Sequence, residues 1–328
     1  MLTDKFNRKI DYLRISVTDR CNLRCIYCVP SLGFIQKKHD EILRFEEILK
    51  LLTVFVSLGI KKIKITGGEP LFRKGIIDFI AKVFNINAIK DVSITTNGIL
   101  LKDYAYALRK TGLRRLNISI DTLDKDKFRY ITGADKLREV LDGLNEVRKL
   151  KFSPVKINTV VIRGINDDEI LDFARLSIEN PYEIRFIEYM PTQNSIGWDK
   201  DKFISSAEIK AKLMVFGKLY KTDHITGAGH AQYFKFQGAL GTIGVISPVS
   251  NSFCSKCNKL RLTADGKLKL CLHSSKQVDL KTPLRANASF NELKDMIISG
   301  INLKPEGNYL EKHSFPEYSK NIMCQIGG

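Results

Sequence analysis

Six of the seven cysteines in this sequence fall into two sets whose spacing suits metal chemistry. The first set, Cys21, Cys25 and Cys28, has the pattern Cys-x3-Cys-x2-Cys. Clustered thiols in a reducing compartment bind metal more often than they form disulfides. Three thiolates hold three irons of a cubane cluster and leave the fourth iron open for a substrate. Because zinc motifs favour paired CxxC spacing, this pattern predicts an iron–sulfur cluster.

The second set, Cys254, Cys257 and Cys271, leaves two kinds of site open. With His273 or Cys324 as a fourth ligand it would form a structural zinc site, and without one it would form a second open cluster. Six Lys or Arg and one Asp lie in the segment that runs from Cys254 through Lys276. Lys259 and Arg261 are two residues apart, so they share one face of an extended segment. This charge favours a phosphorylated ligand, and Cys324 is interpreted as incidental.

The composition is that of a globular protein with excess positive charge. The 328 residues include 53 Lys and Arg against 36 Asp and Glu, a net charge of +17, and 44% are hydrophobic. This excludes a disordered or collagen-like chain. No apolar run approaches the ~20 residues of a membrane helix and the chain begins without a signal pattern, so we expect a cytoplasmic protein with no membrane partner. The charge indicates a solvated surface or an anionic ligand such as a nucleotide.

Strand-like and helical segments alternate over the first 190 residues. The predicted strands are Leu13–Val17, Lys62–Thr66, Val92–Thr96, Leu116–Ile120, Val155–Ile162 and Glu183–Glu188. The alternation predicts βαβ units in an open parallel sheet or a partial barrel. Polar turns follow five of the strands, where active sites of such folds are built. The pattern fades after about residue 200, and we predict two domains, 1–220 and 221–328.

The first set and a second motif together resemble the radical S-adenosylmethionine (SAM) enzymes. Tyr27 precedes the last cysteine of the set, and Gly67-Gly68-Glu69-Pro70 follows the second strand. In that superfamily the corresponding segment holds the amino group of the methionine moiety. The resemblance implies that Tyr27 packs against the adenine, that the glycines admit a close approach, and that Glu69 supports the ammonium group.

Residues 257–268, with the sequence CNKLRLTADGKL, resemble a narrower family, the GTP 3′,8-cyclases that begin molybdenum cofactor biosynthesis. Residues 13–22, 66–71, 95–98, 117–121 and 188–191 and the terminal Ile326-Gly327-Gly328 resemble it too. The resemblance implies an α/β fold: an incomplete (β/α)6 TIM-like barrel of the radical SAM type with a smaller C-terminal α+β domain. That domain carries the second cluster and the Gly-Gly tail.

The resemblance also implies the site. Each cysteine set holds a [4Fe-4S] cluster; the first binds SAM and the second binds the purine of GTP. The implied SAM contacts are Tyr27, Gly67, Gly68, Glu69, Ser119 and Met190. The implied GTP contacts are Arg14, Lys64, Thr95, Lys156, Lys259 and Arg261, and the catalytic tail is Gly327 and Gly328. Lys64 and Lys259 stand where Arg is usual, which keeps the charge and loses the bidentate fork, so we expect altered GTP geometry.

The implied activity is that of a lyase that converts GTP to 3′,8-cyclo-7,8-dihydro-GTP. A 5′-deoxyadenosyl radical would take the ribose 3′ hydrogen, and the ribose radical would attack carbon 8 of guanine. The implied partners are a one-electron donor and the next enzyme of the molybdenum cofactor pathway, and a homodimer stays open. No nucleic-acid partner is expected.

Two other functions stay open at this point. One is a peptide-modifying radical SAM enzyme with an auxiliary cluster, although such enzymes usually have more cysteines and lack the segment at residues 257–268. The other is a basic, zinc-containing nucleic-acid binding protein, which accounts for the charge but leaves the first cysteine set unexplained.

Overall fold

A computed structural model describes residues 1–29, 36–191, 199–222, 230–307 and 323–327. Its centre is a run of six parallel strands that neighbour one another in chain order. They are β1 (Tyr12–Ser16), β2 (Lys62–Thr66), β3 (Asp91–Thr96), β4 (Arg115–Ser119), β5 (Val155–Val161) and β6 (Tyr182–Glu188). The predicted parallel strands are confirmed, each within one or two residues of its expected bounds.

Amphipathic helices connect these strands and cover one face of the sheet. They are α1 (Phe45–Ser57), α2 (Ile76–Phe84), α3 (Leu101–Lys110), α4 (Lys125–Thr132), α5 (Leu137–Lys149) and α6 (Ile170–Glu179). In α1 the residues Ile48, Leu51, Leu52 and Phe55 are buried, the spacing of a single helical face. Such stripes pack on the apolar side chains of the strands, so the core lies between helices and sheet.

The short helix α4 was absent from the sequence prediction. It begins after Asp124, whose carboxylate accepts a hydrogen bond from the Lys127 N–H at 2.8 Å, and it ends at Gly133 in the left-handed conformation. Its sequence KDKFRYIT buries Phe128, Ile131 and Thr132 and is otherwise polar. The cap and the terminal glycine define this helix better than its hydrophobic period does.

The C-terminal third adds strands to both edges of the same sheet. On the β6 edge, β9 (Thr242–Ile246) pairs in parallel and is followed by antiparallel β8 (Gln232–Lys235) and β7 (Tyr220–Lys221). On the β1 edge, β10 (Lys259–Leu262) pairs in parallel and is followed by antiparallel β11 (Lys267–Lys269) and β12 (Gln277–Asp279). Within the described ranges the two ends of this sheet do not pair, so the barrel is incomplete, as expected.

The described residues of the second half contain four further α-helices: α7 (Ser206–Leu213), α8 (Lys281–Arg285), α9 (Phe290–Ile301) and α10 (Met323–Ile326). Ser205 caps α7 by accepting from the Glu208 N–H at 3.2 Å, which fits the predicted cap. Segments before and after residue 220 share one sheet, and the domain boundary at residue 220 stays a prediction. Among the described helices none is long and apolar enough to cross a membrane.

Candidate active site

A single cavity of about 410 Å³ lies over the sheet face that the helices do not cover, and cysteines of both sets line it. The lining includes Cys21, Cys25, Cys28, Cys254, Cys257 and Cys271. It also includes most of the other predicted site residues: Tyr27, Gly67, Gly68, Ser119, Met190, Arg14, Lys64, Thr95, Lys156, Lys259 and Arg261. The fold therefore brings residues from positions 12 to 323 to one place.

The first cysteine set lies on the loop after β1, and α4 holds that loop. The Arg24 and Ile26 N–H groups donate to the carbonyls of Thr132 and Ile131, at 2.8 and 2.9 Å. Cys21 Sγ accepts from the Leu23 N–H at 3.4 Å and from the Asn97 side-chain amide at 3.7 Å. Burial raises the pKa of Cys21 to about 11, so metal must displace a proton there.

The arrangement of the thiols suits a polynuclear cluster. In the described part of the chain, no group of three His, Cys, Asp or Glu side chains is placed to hold one metal ion. A cubane cluster binds each thiolate through a different iron, so its ligands need not converge on one point. Three cysteines on one short loop at the mouth of a cavity fit such a group.

The Gly67-Gly68 turn lies against the first cysteine loop. The Gly68 N–H donates to the Thr18 carbonyl at 2.6 Å, and the Glu69 N–H donates to the Arg20 carbonyl at 2.8 Å. A Cβ on Gly68 would stand 2.2 Å from the Arg20 carbonyl oxygen. The close approach that requires glycine is therefore to this chain's own backbone, and the opposite side of the turn faces the cavity.

Glu69 is fully buried behind that turn and does not line the cavity. Its carboxylate accepts from the Leu71 N–H at 3.0 Å, the Thr96 hydroxyl at 2.8 Å and the Asn97 N–H at 2.7 Å. Burial raises the pKa of Glu69 to about 7, although these donors oppose the shift. The carboxylate thus joins the turn after β2 to the turn after β3.

Tyr27 and Asp121 form the opposite wall. The Tyr27 hydroxyl hydrogen-bonds the Asp121 carboxylate, whose other oxygen accepts from the Val160 N–H at 2.8 Å. Burial raises the pKa of Asp121 to about 6. Ser119 and Met190 lie on the same side, at the ends of β4 and β6. The Tyr27 ring is therefore fixed at its hydroxyl end.

The basic residues form rows across neighbouring strands. Arg14 of β1 is the register partner of Arg261 on β10 and of Lys64 on β2. Lys259 lies two residues before Arg261 and opposite Tyr12, so the shared face predicted for Lys259 and Arg261 fits the register. Burial, followed by repulsion from Arg14, lowers the pKa of Lys259 to about 7 and of Arg261 to about 9. A bound anionic ligand would offset the repulsion among these buried cations.

Sequence reasoning missed Arg185. This residue of β6 is buried, lines the cavity and donates to Asn117 Oδ1 at 2.5 Å. Its signal was a charged residue in the middle of a largely buried strand, where apolar residues are usual. Arg185 Nε, Asn158 Oδ1 and His230 Nε2 line this cavity, are buried and lack a hydrogen-bond partner in the described structure. Buried polar atoms are normally satisfied, so a polar ligand fits this cavity.

The second cysteine set is held in a basic setting. The Arg8 guanidinium donates to the Cys254 carbonyl at 2.9 Å, and the Lys304 ammonium donates to the Lys259 carbonyl at 2.9 Å. Burial raises the pKa of Cys257, but Lys304 and other nearby cations outweigh it and the net shift is downward. A thiolate is therefore favoured at Cys257 more than at the first set.

The C-terminal tail enters the same region. The Gly327 carbonyl accepts from Arg14 at 3.4 Å and from Arg261. Cys324, on α10, is buried, and its charge acts on Cys28 and Cys21, which places it near the first set. Gly328 lies outside the described residues.

Comparisons with known proteins agree with this architecture. Residues 15–177 match the family model of the Radical SAM superfamily, and residues 182–310 match that of Molybdenum Cofactor Synthesis C. The chain is 50% identical to the GTP 3′,8-cyclase of Thermodesulfovibrio yellowstonii and 46% identical to that of Alkaliphilus metalliredigens, over the full length of each chain.

Among solved structures, Streptococcus suis SuiB bound to S-adenosylmethionine aligns with a TM-score of 0.61 at 18% identity, covering 97% of this chain and 78% of SuiB. SuiB bound to its precursor peptide SuiA aligns equally well, at 19% identity. At this identity the likeness concerns the fold alone.

Proposed function

Because this chain belongs to the GTP 3′,8-cyclase family of radical SAM enzymes, we propose that its single cavity binds SAM at one end and GTP at the other. The chain is a lyase that converts GTP to 3′,8-cyclo-7,8-dihydro-GTP, the first step of molybdenum cofactor biosynthesis. The observation that carries the proposal for the site is that both cysteine sets and the basic rows line one cavity.

The SAM end is the loop of the first cysteine set and the turns after β2, β4 and β6. When bound, the first [4Fe-4S] cluster and SAM supply the one-electron cleavage that yields a 5′-deoxyadenosyl radical. Gly67 and Gly68 present backbone to the methionine moiety, while Tyr27, Ser119 and Met190 line the nucleoside side. The proposed role of Glu69 is to hold the turns after β2 and β3 in place.

The GTP end is the second cysteine set and the basic rows. Cys254, Cys257 and Cys271 hold the second [4Fe-4S] cluster, whose open iron orients the guanine. Arg14, Lys64, Thr95, Lys156, Lys259 and Arg261 face the ribose and triphosphate. Holding ribose and adenosyl group together converts an encounter into a positioned reaction.

The tail is proposed to form part of the GTP site. Gly327 has a φ of 75° and lies so close to β2 that a Cβ would stand 1.9 Å from the Thr66 hydroxyl oxygen. Only glycine fits such a position. Gly327 and Gly328 would therefore bring backbone, without side chains, next to the arginines that face the triphosphate.

The proposed function also requires two protein partners. Cluster reduction requires a one-electron donor, and the product must pass to the next enzyme of the pathway. A cytoplasmic location and a homodimer are expected, and light scattering of the purified protein would test the dimer.

The first experiment is the iron, sulfide and zinc content of anaerobically reconstituted protein, followed by an assay with GTP and SAM. Two cubane clusters predict about eight irons and eight sulfides per chain. A C254A/C257A/C271A variant should retain about four irons and still cleave SAM, but lose GTP binding. About four irons with one zinc in the unaltered chain would make the second set structural and defeat the assignment of the GTP end.

A further inference from the structure

A buried ion pair includes one of the cations that face the proposed triphosphate. Lys156 of β5 lines the cavity, and its ammonium lies 2.6 Å from Glu183 Oε2 on β6. The two side chains are 4% and 6% exposed. Glu183 is not among the residues that line the cavity, so its carboxylate contacts the cation and not the space that the ligand would fill.

Tyr233 completes this group from a more distant strand. It lies on β8, and the order of the sheet places β9 and β6 between β8 and β5. The Tyr233 hydroxyl accepts from the Lys156 ammonium at 3.3 Å and donates to Glu183 Oε2 at 3.4 Å. The ammonium also lies 5.5 Å from the centre of the Tyr233 ring, within the range of a cation–π contact. Side chains from two other strands thus hold one ammonium.

A glycine between these strands leaves room for the Tyr233 ring. Gly244 of β9 is the register partner of Tyr233 on one side and of Arg185 on the other. A Cβ on Gly244 would stand 3.1 Å from the Tyr233 ring and 2.9 Å from the Arg185 side chain. A side chain at this position would displace both neighbours, so the missing Cβ allows Tyr233 to reach toward Lys156.

Cations on the neighbouring strands oppose the charge on Lys156. Burial lowers the pKa of Lys156 to about 8, Arg185 of β6 and Arg115 of β4 lower it as well, and Glu183 opposes them. Lys64 of β2 is close enough for Lys156 to lower its pKa. The carboxylate beside the ammonium therefore helps Lys156 to keep its charge near neutral pH.

A flexible lysine side chain needs fixed contacts if its ammonium is to meet an anionic ligand in one position. Glu183 and Tyr233 supply such contacts, and neither of them lines the cavity. Resting on the proposed function, which places the triphosphate at Lys156, we propose that Glu183 and Tyr233 are positioning residues that hold the Lys156 ammonium toward GTP. They act on the ligand through Lys156 and do not touch it themselves.

The test is the pH profile of GTP affinity of E183Q, measured by anaerobic equilibrium dialysis on reconstituted full-length protein. Without the carboxylate the pKa of Lys156 falls below about 8, so the loss of affinity should begin at a lower pH. At pH 8 E183Q should bind GTP about fivefold more weakly than the unaltered protein. At pH 6, where Lys156 is charged in both proteins, it should bind at least as tightly. A profile parallel to that of the unaltered protein would show a purely structural role and overturn the proposal.

Y233F is a milder variant that keeps the test available if E183Q does not fold. It keeps the ring and removes the hydroxyl, so it should move the profile in the same direction, with about a threefold loss at pH 8. E139Q is the matched control, because Glu139 pairs with Lys136 at the same distance of 2.6 Å at an exposed site. The profile of E139Q should not change, and an unchanged profile in Y233F would count against the proposal as firmly as one in E183Q.

A K156R background shows whether Glu183 acts through Lys156. Arginine stays charged without a carboxylate beside it, so the E183Q/K156R double variant should follow K156R at every pH. A further loss of affinity at pH 8 in the double variant would mean that Glu183 acts elsewhere, which the proposal does not allow.

Failure of the unaltered, cluster-loaded protein to bind GTP would defeat the proposed function and leave a separate readout for the ion pair. Acetic anhydride modifies the neutral amine of lysine, and mass spectrometry of the peptide that contains Lys156 follows this reaction against pH. E183Q should lower the pH at which Lys156 is modified. The same pH in both proteins would refute the role of Glu183 whether or not GTP binds.

Discussion

Lys156 is a buried cation whose charge changes with pH near neutrality. Its ammonium lies 2.6 Å from Glu183 Oε2 and 3.3 Å from the Tyr233 hydroxyl. Burial lowers the pKa of Lys156 to about 8, although Glu183 opposes the shift. Below that pH the ammonium is charged and can attract the triphosphate, and above it the attraction is lost.

We therefore predict that GTP affinity falls as the pH rises through about 8. Between pH 7 and pH 9 the unaltered protein should lose about fivefold in affinity, the equivalent of one hydrogen bond to a charged group. K156R stays charged over this range and should make the dependence shallower, leaving the part due to Lys259 and Arg261, whose pKa values are about 7 and about 9. Anaerobic equilibrium dialysis measures the GTP affinity at each pH. The control is K125M, which removes an exposed lysine. A K156R profile that falls as steeply as the unaltered one would refute the role of Lys156.

Individual site residues could be predicted from the sequence where they belong to a motif, and not where they have none. The cysteines, the glycine turn and the segment around Lys259 were recognisable because their spacing repeats across a family. Arg185 has no motif, and its importance follows from burial on β6, which only the sheet order reveals. The proximity of Cys324 to Cys28 brings together residues 296 positions apart, and no local pattern indicates it.

The elements meet at the carboxyl ends of the strands, and side chains tie their turns together there. Glu69, from the turn after β2, binds Thr96 and Asn97 from the end of β3, and Asn97 in turn donates to Cys21 after β1. Three turns thus share one hydrogen-bonded group. The resemblance assigns Glu69 to the ammonium of SAM, and the structure adds hydrogen bonds from Leu71, Thr96 and Asn97 to its carboxylate.

A substitution at Thr96 separates these two roles of Glu69. If Glu69 acts by joining the turns, E69Q and T96V should both lower the free energy of unfolding by about 1–3 kcal/mol and weaken SAM binding. T96S keeps the hydroxyl and should behave as the unaltered protein. Anaerobic urea unfolding and SAM dialysis measure the two quantities. SAM affinity lost in E69Q and kept in T96V would instead favour a direct contact with the ammonium.

The central strands were predictable because each is a short β-branched run followed by an amphipathic helix. The outer strands were not, since β7, β11 and β12 have only two or three residues each and lack a period. They pair in the antiparallel direction with strands nearby in sequence, β7 with β8, β11 with β10 and β12 with β11. The helix α4 was missed because its polar sequence hides a short buried face.

Across the whole molecule, the first residues of the chain support the second cysteine set. Arg8 and Asp4 form a buried ion pair at 2.6 Å. Arg8 also donates to the carbonyls of Cys254, Pro305 and Glu306, at 2.9, 2.6 and 2.6 Å. The N-terminal segment therefore connects the cysteine loop to the segment after α9.

We predict that R8M impairs the second cluster and spares the first. Removing one member of a buried pair leaves Asp4 uncompensated, which should cost about 3–5 kcal/mol of stability. Iron should fall from about eight toward about four per chain, with the SAM-sensitive signal retained and GTP affinity reduced. R175M, at an exposed ion pair, should change none of these. Full iron content with unaltered GTP affinity in R8M would contradict the prediction.

The pairing of β1 with β10 delays completion of the sheet during synthesis of the chain. Tyr12 is in register with Lys259, so 247 residues must be synthesised before that edge of the first strand finds its partner. An unpaired parallel edge is a site of aggregation, and contacts this distant in sequence form slowly. Nascent chains should therefore depend on chaperones until their last third has left the ribosome. Slower translation or a lower growth temperature should raise the soluble yield.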